Sequence, residues 1–272
     1  MNLLEFFLGL FLPCRMNRAS IQQLSLWQFE GLAGEASIRH FVTDRSSCLN
    51  EAEFTLSYSS TPDKEKVRSN RQRLAQAMGV EERHLYFPSQ VHQTRIVEVS
   101  EETKSEELME TDALITAKSG LCIAVMSADC VPILLYDKTN QVVAAVHSGW
   151  RGTVARILEK TLRHMRMAYG TRGSDVMAGI GPSVSQDAYE VGEEVVESVH
   201  QAFGSESKQM ITQSGNKAKL DLWKANKLQL LQFGVDPARI EIADLCTVKN
   251  NNYFFSARKG DAGRFAAGIM LH

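Results

Sequence analysis

The sequence lacks the features that mark membrane-spanning, nucleic-acid-binding and disulfide-stabilised proteins. Apart from its N-terminus it has no long apolar run, so we expect no membrane-spanning segment. It has no long basic stretch and a net charge of −2, so we expect no nucleic-acid partner. Its five cysteines form no CxxC pair, which disfavours a secreted disulfide scaffold and predicts a reducing, cytoplasmic location.

The N-terminus is the least typical part of the chain. The apolar run from Met1 to Pro13 is too short to span a bilayer. It also lacks the positive n-region and the small-residue cleavage site of a signal peptide. We predict an extension over residues 1–19, explained by a start codon assigned too early or by a short helix on the surface, and a single domain over residues 20–272.

Apolar spacing predicts alternating strands and helices, with no internal repeat and no low-complexity segment. Continuous apolar runs of four to six residues are typical of strands that are buried on both faces. We therefore predict one α/β (α+β) domain with mixed sheets flanked by helices. The predicted strands are 21–29, 38–43, 91–99, 113–116, 121–126, 133–136, 142–146, 176–180, 240–245, 254–256 and 266–271, and the helices are 63–78, 153–169, 193–203 and 220–233.

Three residues suggest a metal site. His92, Cys130 and His147 each lie at the end of an apolar, strand-like run, beside small or turn-forming residues. Two imidazoles and one thiolate suit Zn²⁺, and three protein ligands leave the fourth tetrahedral position open for water or substrate. Taken singly, His92 and Cys130 are more often structural, whereas His147, at a strand end before a glycine-containing turn, favours a functional role. Their spacing matches no zinc finger, so only the tertiary fold could bring them together.

The turn Gly149-Trp-Arg-Gly152 precedes a predicted helix and is a second candidate site. Its glycines permit close backbone approach, and a helix N-terminus attracts anions. Arg151 could bind phosphate through two hydrogen bonds, or it could pair with a carboxylate while Trp150 packs in the core. The turn is neither a Walker A loop nor a GxGxxG motif, so it does not indicate nucleotide binding of those types.

The other cysteines are weaker candidates. Cys122 lies within a predicted strand and is expected in the core. Cys246 lies at another strand end, where it either lines the pocket or packs. Cys14 and Cys48 have no assigned partner. Among the remaining histidines, His40 lies in a predicted strand and could face the site.

An ordered series of motifs connects these positions from about Ile38 to His272. With them the chain resembles the bacterial laccase-domain proteins, long called multicopper polyphenol oxidases and now regarded as zinc-dependent purine nucleoside phosphorylases. The motifs are Gln90-Val-His92, Thr111-Asp-Ala-Leu-Ile-Thr116, Ala128-Asp-Cys-Val-Pro132, Val146-His-Ser-Gly-Trp-Arg-Gly152, Gly179-Ile-Gly-Pro182, Tyr189-Glu-Val191, Leu220-Asp-Leu222, Asp244-Leu-Cys-Thr247, Phe254-Phe-Ser256 and Gly263-Arg264.

The resemblance implies that His92, Cys130 and His147 bind one catalytic zinc. It implies phosphorolysis of adenosine, inosine, guanosine and methylthioadenosine to the base and ribose 1-phosphate, with adenosine deaminase activity beside it. Purine nucleosides and phosphate would be its partners. Differences from the usual family pattern, at Asp44, Gln93 and several other positions, leave the three ligands intact and bear on substrate preference.

Phosphorolysis needs cations that hold phosphate on the side of the sugar opposite the base, and the candidates are Arg45, Arg71 and Arg151. Two other interpretations stay open. A copper-dependent polyphenol oxidase would need several copper ions, for which seven histidines are few. A non-catalytic, metal-stabilised interaction module would need a fourth ligand such as Cys246 or His40. The sequence does not indicate the oligomeric state.

Overall fold

The computed structural model describes residues 16–48, 53–215 and 217–272. The predictions for the apolar run at residues 1–13 and for Cys14 fall outside these ranges. The strands are β1 (Met16–Ile21), β2 (Leu24–Phe29), β3 (Ile38–Val42), β4 (Leu85–Tyr86), β5 (Ile96–Glu98), β6 (Ala113–Thr116), β7 (Cys122–Ser127), β8 (Val131–Asp137), β9 (Val142–Ser148), β10 (Val176–Ile180), β11 (Glu190–Val191), β12 (Ile211–Ser214), β13 (Lys217–Leu220), β14 (Ile240–Ile242) and β15 (Phe265–Leu271). The α-helices are α1 (Glu30–Ala33), α2 (Lys64–Met78), α3 (Trp150–Val154), α4 (Ile157–Tyr169), α5 (Glu193–Phe203) and α6 (Leu222–Phe233).

Two six-stranded sheets form the centre of the fold. Their strand orders are β1-β2-β3-β15-β7-β4 and β14-β10-β8-β9-β6-β5, and a small third sheet has the order β11-β13-β12. Both large sheets mix parallel and antiparallel pairs; β10 and β14, for example, are parallel, whereas β8 and β9 are antiparallel. The predicted mixed α/β domain is therefore confirmed.

The two large sheets pack face to face, and helices cover their outer faces. Alternation along each strand produces this arrangement, because successive side chains point to opposite faces of a sheet. On β7, Ile123 belongs to the core between the sheets, whereas Ala124 faces the side on which α2 packs. On β8, Leu134 points between the sheets and Ile133 points to the layer that contains α4 and α6.

The predicted doubly buried strands are confirmed. Every residue of β8 and β9 is buried, since one face of their sheet meets the other sheet and the opposite face meets helices.

Helix α2 begins and ends as predicted: Asp63 accepts a hydrogen bond from the backbone N–H of Lys66, and Gly79 closes the helix with a φ of 74°. In the described ranges, no helix has the length and apolarity needed to cross a bilayer.

Several predicted elements are interrupted where the backbone turns left-handed. The strand predicted over 21–29 is a hairpin that turns at Gln22, whose φ is 53°. The helix predicted over 153–169 is divided into α3 and α4 at Arg156, whose φ is 61°. Apolar periodicity does not report the sign of φ, so it does not show these breaks.

Two predicted strands differ from the structure for other reasons. Only Ile96–Glu98 of the strand predicted over 91–99 pairs with a neighbour, and His92 lies in the loop before it, with a φ of 63°. Residues 254–256 form no strand. The apolar residues that suggested one, Phe254 and Phe255, fill the core between the sheets. The predicted domain boundary after residue 19 stays a prediction, and β1 crosses it.

Strand register brings several chain segments together at one end of the central strands of the second large sheet, whose order is β14-β10-β8-β9-β6-β5. Ser148, the last residue of β9, lies opposite Val131, the first residue of β8. Ala113, the first residue of β6, lies opposite Val146 on the other side of β9. The end of β9 and the residues just before β6 and β8 are therefore neighbours, and they include His147, Asp112 and Cys130.

Candidate metal centre

The structure brings His92, Cys130 and His147 together. One potential ligand atom from each residue, an imidazole nitrogen or the thiol sulfur, lies within 4.8 Å of the others. The two imidazole rings meet edge to face, with centroids 4.9 Å apart. His147 is buried, Cys130 is half-buried and His92 is exposed, so the group opens to solvent on the side of His92.

A buried carboxylate orients His147. The Nδ1 atom of His147 lies 2.8 Å from Oδ1 of Asp112, and both side chains are buried. Because an ionised carboxylate only accepts hydrogen bonds, Nδ1 carries a proton, and Nε2 is the nitrogen left to face a metal. Burial alone would lower the pKa of His147, but the Cys130 thiolate and Asp112 together raise it. The backbone N–H of His147 also donates to the carbonyl of Asp112, at 2.7 Å.

Asp112 also holds the loop that carries His92. The backbone N–H of His92 donates to Oδ1 of Asp112 at 3.0 Å, and those of Val91 and Gln93 donate to Oδ2 at 3.2 and 2.9 Å. Burial raises the pKa of Asp112, but the hydrogen bonds from His147 and from this loop outweigh burial and lower it. One carboxylate therefore fixes two of the three ligands.

The same loop is attached to the first sheet by Gln90. Its side-chain amide donates to the carbonyl of Met126 and accepts from the backbone N–H of Met126, each at 2.7 Å. Met126 belongs to β7, four residues before Cys130. The loop that carries His92 is thus joined to both large sheets, which explains how an irregular segment can present a ligand in a defined position.

Cys130 lies in the short connection between β7 and β8. The carbonyl of Cys130 accepts a hydrogen bond from Oγ of Ser127 at 2.5 Å, and Asp129 before it has a φ of 89°. The carboxylate of Asp129 accepts from Thr247 at 2.5 Å and from the backbone N–H of Arg258 at 2.8 Å. Burial alone would raise the pKa of the Cys130 thiol, but the positive charge and hydrogen bond of His147 lower it. The thiolate is the form that binds metals.

Gly149 is needed beside the ligands for steric reasons. A Cβ atom on this residue would lie 2.9 Å from Sγ of Cys130 and 3.0 Å from Cδ2 of His92. Both distances are shorter than ordinary carbon contacts, so a side chain here would push two ligands apart. The glycine of the Gly149–Gly152 turn serves close approach to the trio, as its composition indicated.

The three arginines predicted to bind phosphate lie in different surroundings. Arg45 is ion-paired with Glu53 at 2.6 Å and with Asp261. Arg151 is exposed, and its guanidinium lies 4.3 Å from the centroid of the Trp150 ring. Arg71 lines a cleft whose walls include none of the trio. The structure therefore brings the three metal candidates together, and phosphate binding by these arginines stays a prediction.

Three residues near the trio were not assigned a role from the sequence. Asp112 was visible only as part of the motif from Thr111 to Thr116. Tyr189 lies near Cys130, and burial together with the Cys130 thiolate raises the pKa of its hydroxyl to about 12. The guanidinium of Arg258 lies 4.6 Å from the centre of the Tyr189 ring. In the sequence, Tyr189 was only part of a Tyr-Glu-Val motif and Arg258 was one arginine among many, so neither was predicted to lie near the trio.

Neither residue considered as a fourth ligand joins the group. Nε2 of His40 accepts the backbone N–H of Phe29 at 2.8 Å, and burial lowers the pKa of His40 to about 4. Sγ of Cys246 accepts the backbone N–H of Ser185 at 3.4 Å. Over residues 16–48, 53–215 and 217–272, the trio is the only group of three or more potential metal ligands. Three protein ligands and an open side match a catalytic metal site better than a structural one.

Comparison with known proteins finds a matching family and named relatives. The family described as "Multi-copper polyphenol oxidoreductase laccase" matches residues 39–272 of the chain. A protein of Bacteroides thetaiotaomicron named purine nucleoside phosphorylase is 40% identical over 258 residues, covering 90% of this chain and 95% of its own length. A protein from an unknown prokaryote named adenosine deaminase RL5 is 36% identical over 214 residues, covering 75% of this chain and 81% of its own.

A solved structure shows the same fold. The crystal structure of YlmD from Geobacillus stearothermophilus superimposes with a TM-score of 0.87 at 26% sequence identity. The match covers 96% of this chain and all of that one, at 100%. The arrangement of two large sheets between helices is therefore shared over the full length of that protein.

Proposed function

We infer from its family, the multi-copper polyphenol oxidoreductase laccase family to which the chain belongs, that the protein is a zinc-dependent purine nucleoside phosphorylase. The proposed reaction converts adenosine, inosine, guanosine or methylthioadenosine and phosphate to the base and ribose 1-phosphate. Adenosine deamination to inosine is proposed as a second activity, supported by the relative named adenosine deaminase. We assign the reaction to the cytoplasm, where the four described cysteines would stay free thiols.

The observation that carries this proposal is the trio with one open side. His92, Cys130 and His147 offer three ligand atoms within 4.8 Å of one another. Ligands at ordinary Zn–N and Zn–S distances of about 2.0–2.3 Å fit a group of this size. The proton on Nδ1 of His147 is held by Asp112, so its Nε2 is available, and the lowered pKa of Cys130 favours the thiolate. The donor set therefore suits zinc.

The residues of the chain perform the positioning in this proposal. Zinc, when bound, would supply a Lewis acid with an open coordination position, which polarises a phosphate or sugar oxygen or acidifies water. Asp112 keeps His147 and the His92 loop in place, so the ligands need little rearrangement. The catalytic role of His92, Cys130 and His147 is to hold the metal with one side open to the substrate.

Phosphate binding by Arg45, Arg71 and Arg151 stays a prediction. Arg45 is the least suitable of the three, because two carboxylates already neutralise it. We add Arg258 as a candidate, since its backbone is bonded to Asp129, the residue before Cys130. The Arg258 side chain is exposed and could turn towards an anion at the open side of the trio.

The other two interpretations fit the structure less well. A multicopper oxidase needs several copper ions, whereas the described parts of the chain hold a single group of three potential ligands. A structural metal would have a fourth protein ligand, and both candidates, His40 and Cys246, are bonded elsewhere. One catalytic metal is the interpretation that uses all three ligands and the open side.

A direct assay tests the proposal. Purified protein loaded with zinc is incubated with adenosine, with and without phosphate, and the products are separated by chromatography. We expect adenine and ribose 1-phosphate only with phosphate present, and inosine in both conditions. Cys130→Ala should abolish both activities, while Cys48→Ala, a change at a buried cysteine that is not part of the trio, should keep them. If wild-type protein forms none of these products, or Cys130→Ala forms them at the wild-type rate, the proposal is wrong.

A further inference from the structure

A large cleft in the described part of the protein lies outside the metal trio. It is a cleft of about 970 Å³, which is at the upper end of the range for small-molecule sites. The segment from Glu82 to Ser89 and residues between Glu101 and Met109 line it. Arg71 from α2 and Tyr58 also line it. None of the three metal candidates lines it.

Arg71 is held in the cleft like a fixed binding group. Its guanidinium lies between two aromatic rings, 4.4 Å from the centroid of Tyr58 and 4.4 Å from that of Phe87. Its Nε–H donates to the carbonyl of Leu56 at 2.9 Å. This leaves both terminal nitrogens of Arg71 without a hydrogen-bond or ion-pair partner among the described residues, and neither is buried. A partly buried, oriented guanidinium with both terminal nitrogens free is suited to bidentate recognition of an oxyanion.

The other charged groups of the cleft nearly compensate one another. Arg83 and Lys104 are positive, whereas Glu82, Glu101 and Glu106 are negative. His84 also lines the cleft. Arg83 is already paired with Glu81, and Glu82 accepts a hydrogen bond from Gln72. Of the three cations in the cleft, Arg71 and Lys104 form no ion pair among the described residues, and Arg71 is the one held in a fixed orientation. Hydroxyl groups of Ser57 and Ser59 beside Tyr58 add hydrogen-bonding capacity.

The cleft is connected to the loop that carries His92. Its wall from Leu85 to Ser89 continues directly into Gln90, whose side chain is bonded to Met126 on both sides of the amide. Met126 itself lines the cleft. A ligand in the cleft would therefore contact Met126, one of the two partners of the bridge that holds the His92 loop, and Ser89, the residue before the other partner.

We propose that this cleft binds a small molecule that carries an oxyanion, phosphate or carboxylate, next to a planar ring. The oxyanion is held by the two free nitrogens of Arg71, and the ring packs against the exposed edge of the cleft formed by Tyr58 and Phe87. A nucleoside monophosphate has this chemistry and fits a cleft of this volume. The proposal concerns binding alone, so it does not depend on the phosphorylase reaction.

Isothermal titration calorimetry on the full chain tests this. The probes are AMP, adenosine as the same molecule without phosphate, and nicotinate as a planar ring with a carboxylate. We expect AMP or nicotinate to bind at least tenfold more tightly than adenosine. Arg71→Gln should weaken that binding at least tenfold, and Arg71→Lys should restore part of it, because lysine keeps the charge without the fork. Arg68→Gln, at an exposed arginine on the same helix, is the matched control and should bind like wild type.

A metal-site variant separates the cleft from the trio. Cys130→Ser should keep AMP or nicotinate binding within twofold of wild type, because Cys130 does not line the cleft. Equal loss in Cys130→Ser and Arg71→Gln would place the oxyanion at the metal centre and overturn the proposal. Unchanged binding in Arg71→Gln, with a thermal unfolding curve like that of wild type, would also overturn it. Absence of phosphorylase activity would leave these binding results intact, so the two proposals fail separately.

Discussion

The strongest prediction concerns Asp112, the carboxylate that joins the fold to the metal trio. Its two oxygens accept four hydrogen bonds, from the backbone of Val91, His92 and Gln93 and from Nδ1 of His147. Asp112→Asn keeps the shape of the side chain but replaces one accepting oxygen by an NH₂ group, which only donates. Whichever way the amide is turned, two of the four donors then face another donor.

The expected magnitude has two parts. Each buried donor that loses its acceptor costs about 1–3 kcal/mol, so the variant should lose roughly 2–6 kcal/mol of unfolding free energy. His147 also loses the carboxylate that fixes its tautomer, and changes to such partners weaken metal binding by about 10–100-fold. In free energy this is about 1.4–2.7 kcal/mol of metal affinity, since tenfold corresponds to about 1.4 kcal/mol.

Two measurements separate these effects. Zinc affinity is measured by competition with a coloured chelator, and stability by urea unfolding of the metal-free protein. Asp137→Asn is the matched control, because Asp137 is a buried aspartate at the opposite end of β8 that accepts hydrogen bonds from Thr139 and Asn140. The control should lose stability and keep wild-type zinc affinity. Zinc affinity in Asp112→Asn within threefold of wild type would refute the role that we give to this carboxylate.

Three further predictions follow from the same geometry. Gly149→Ala places a methyl group 2.9 Å from Sγ of Cys130 and 3.0 Å from Cδ2 of His92, so zinc affinity should fall at least tenfold in the same competition assay. Burial lowers the pKa of His40 from 6.5 to about 4, so this histidine is neutral in the fold and takes up a proton on unfolding. Stability present above pH 6.5 should therefore be lost as the pH falls towards 4, by roughly 3 kcal/mol in urea unfolding, and His40→Gln should remove this slope. Metal analysis of purified protein should give about one ion per chain; several copper ions per chain would instead support an oxidase.

The trio could be predicted from the sequence because each ligand adjoins the end of a strand-like run, and ligands of α/β proteins bind at strand ends. It did not show how the ligands are held. His92 was assigned to a strand, but the structure places it in a loop with a φ of 63°, supported by Asp112. Hydrogen bonds from backbone N–H groups to a side chain leave no pattern in apolar spacing. The residue that organises the site was therefore visible only as one letter of a motif.

The choice among arginines shows a second limit. Sequence chemistry makes Arg45, Arg71 and Arg151 equivalent cations, because a guanidinium is always charged. The structure distinguishes them by their partners: two carboxylates neutralise Arg45, one ring stacks with Arg151, and two rings hold Arg71 with its terminal nitrogens free. Some of these partners come from distant segments of the chain, such as Asp261 for Arg45, whereas Trp150 is the sequence neighbour of Arg151. Only tertiary contacts decide which cation is available to a ligand.

The way in which the trio is held also determines what a metal adds to stability. A structural zinc contributes folding energy because its ligands are not organised without it. Here Cys130 and His147 lie at the ends of strands in a paired sheet, and hydrogen bonds of Asp112 and Gln90 attach the loop of His92 to both large sheets. The metal should therefore bind a site that already exists and raise stability only through its affinity for the folded state. With three protein ligands held in this way, a bound zinc would keep one coordination position open to polarise substrate, which is what a catalytic centre requires.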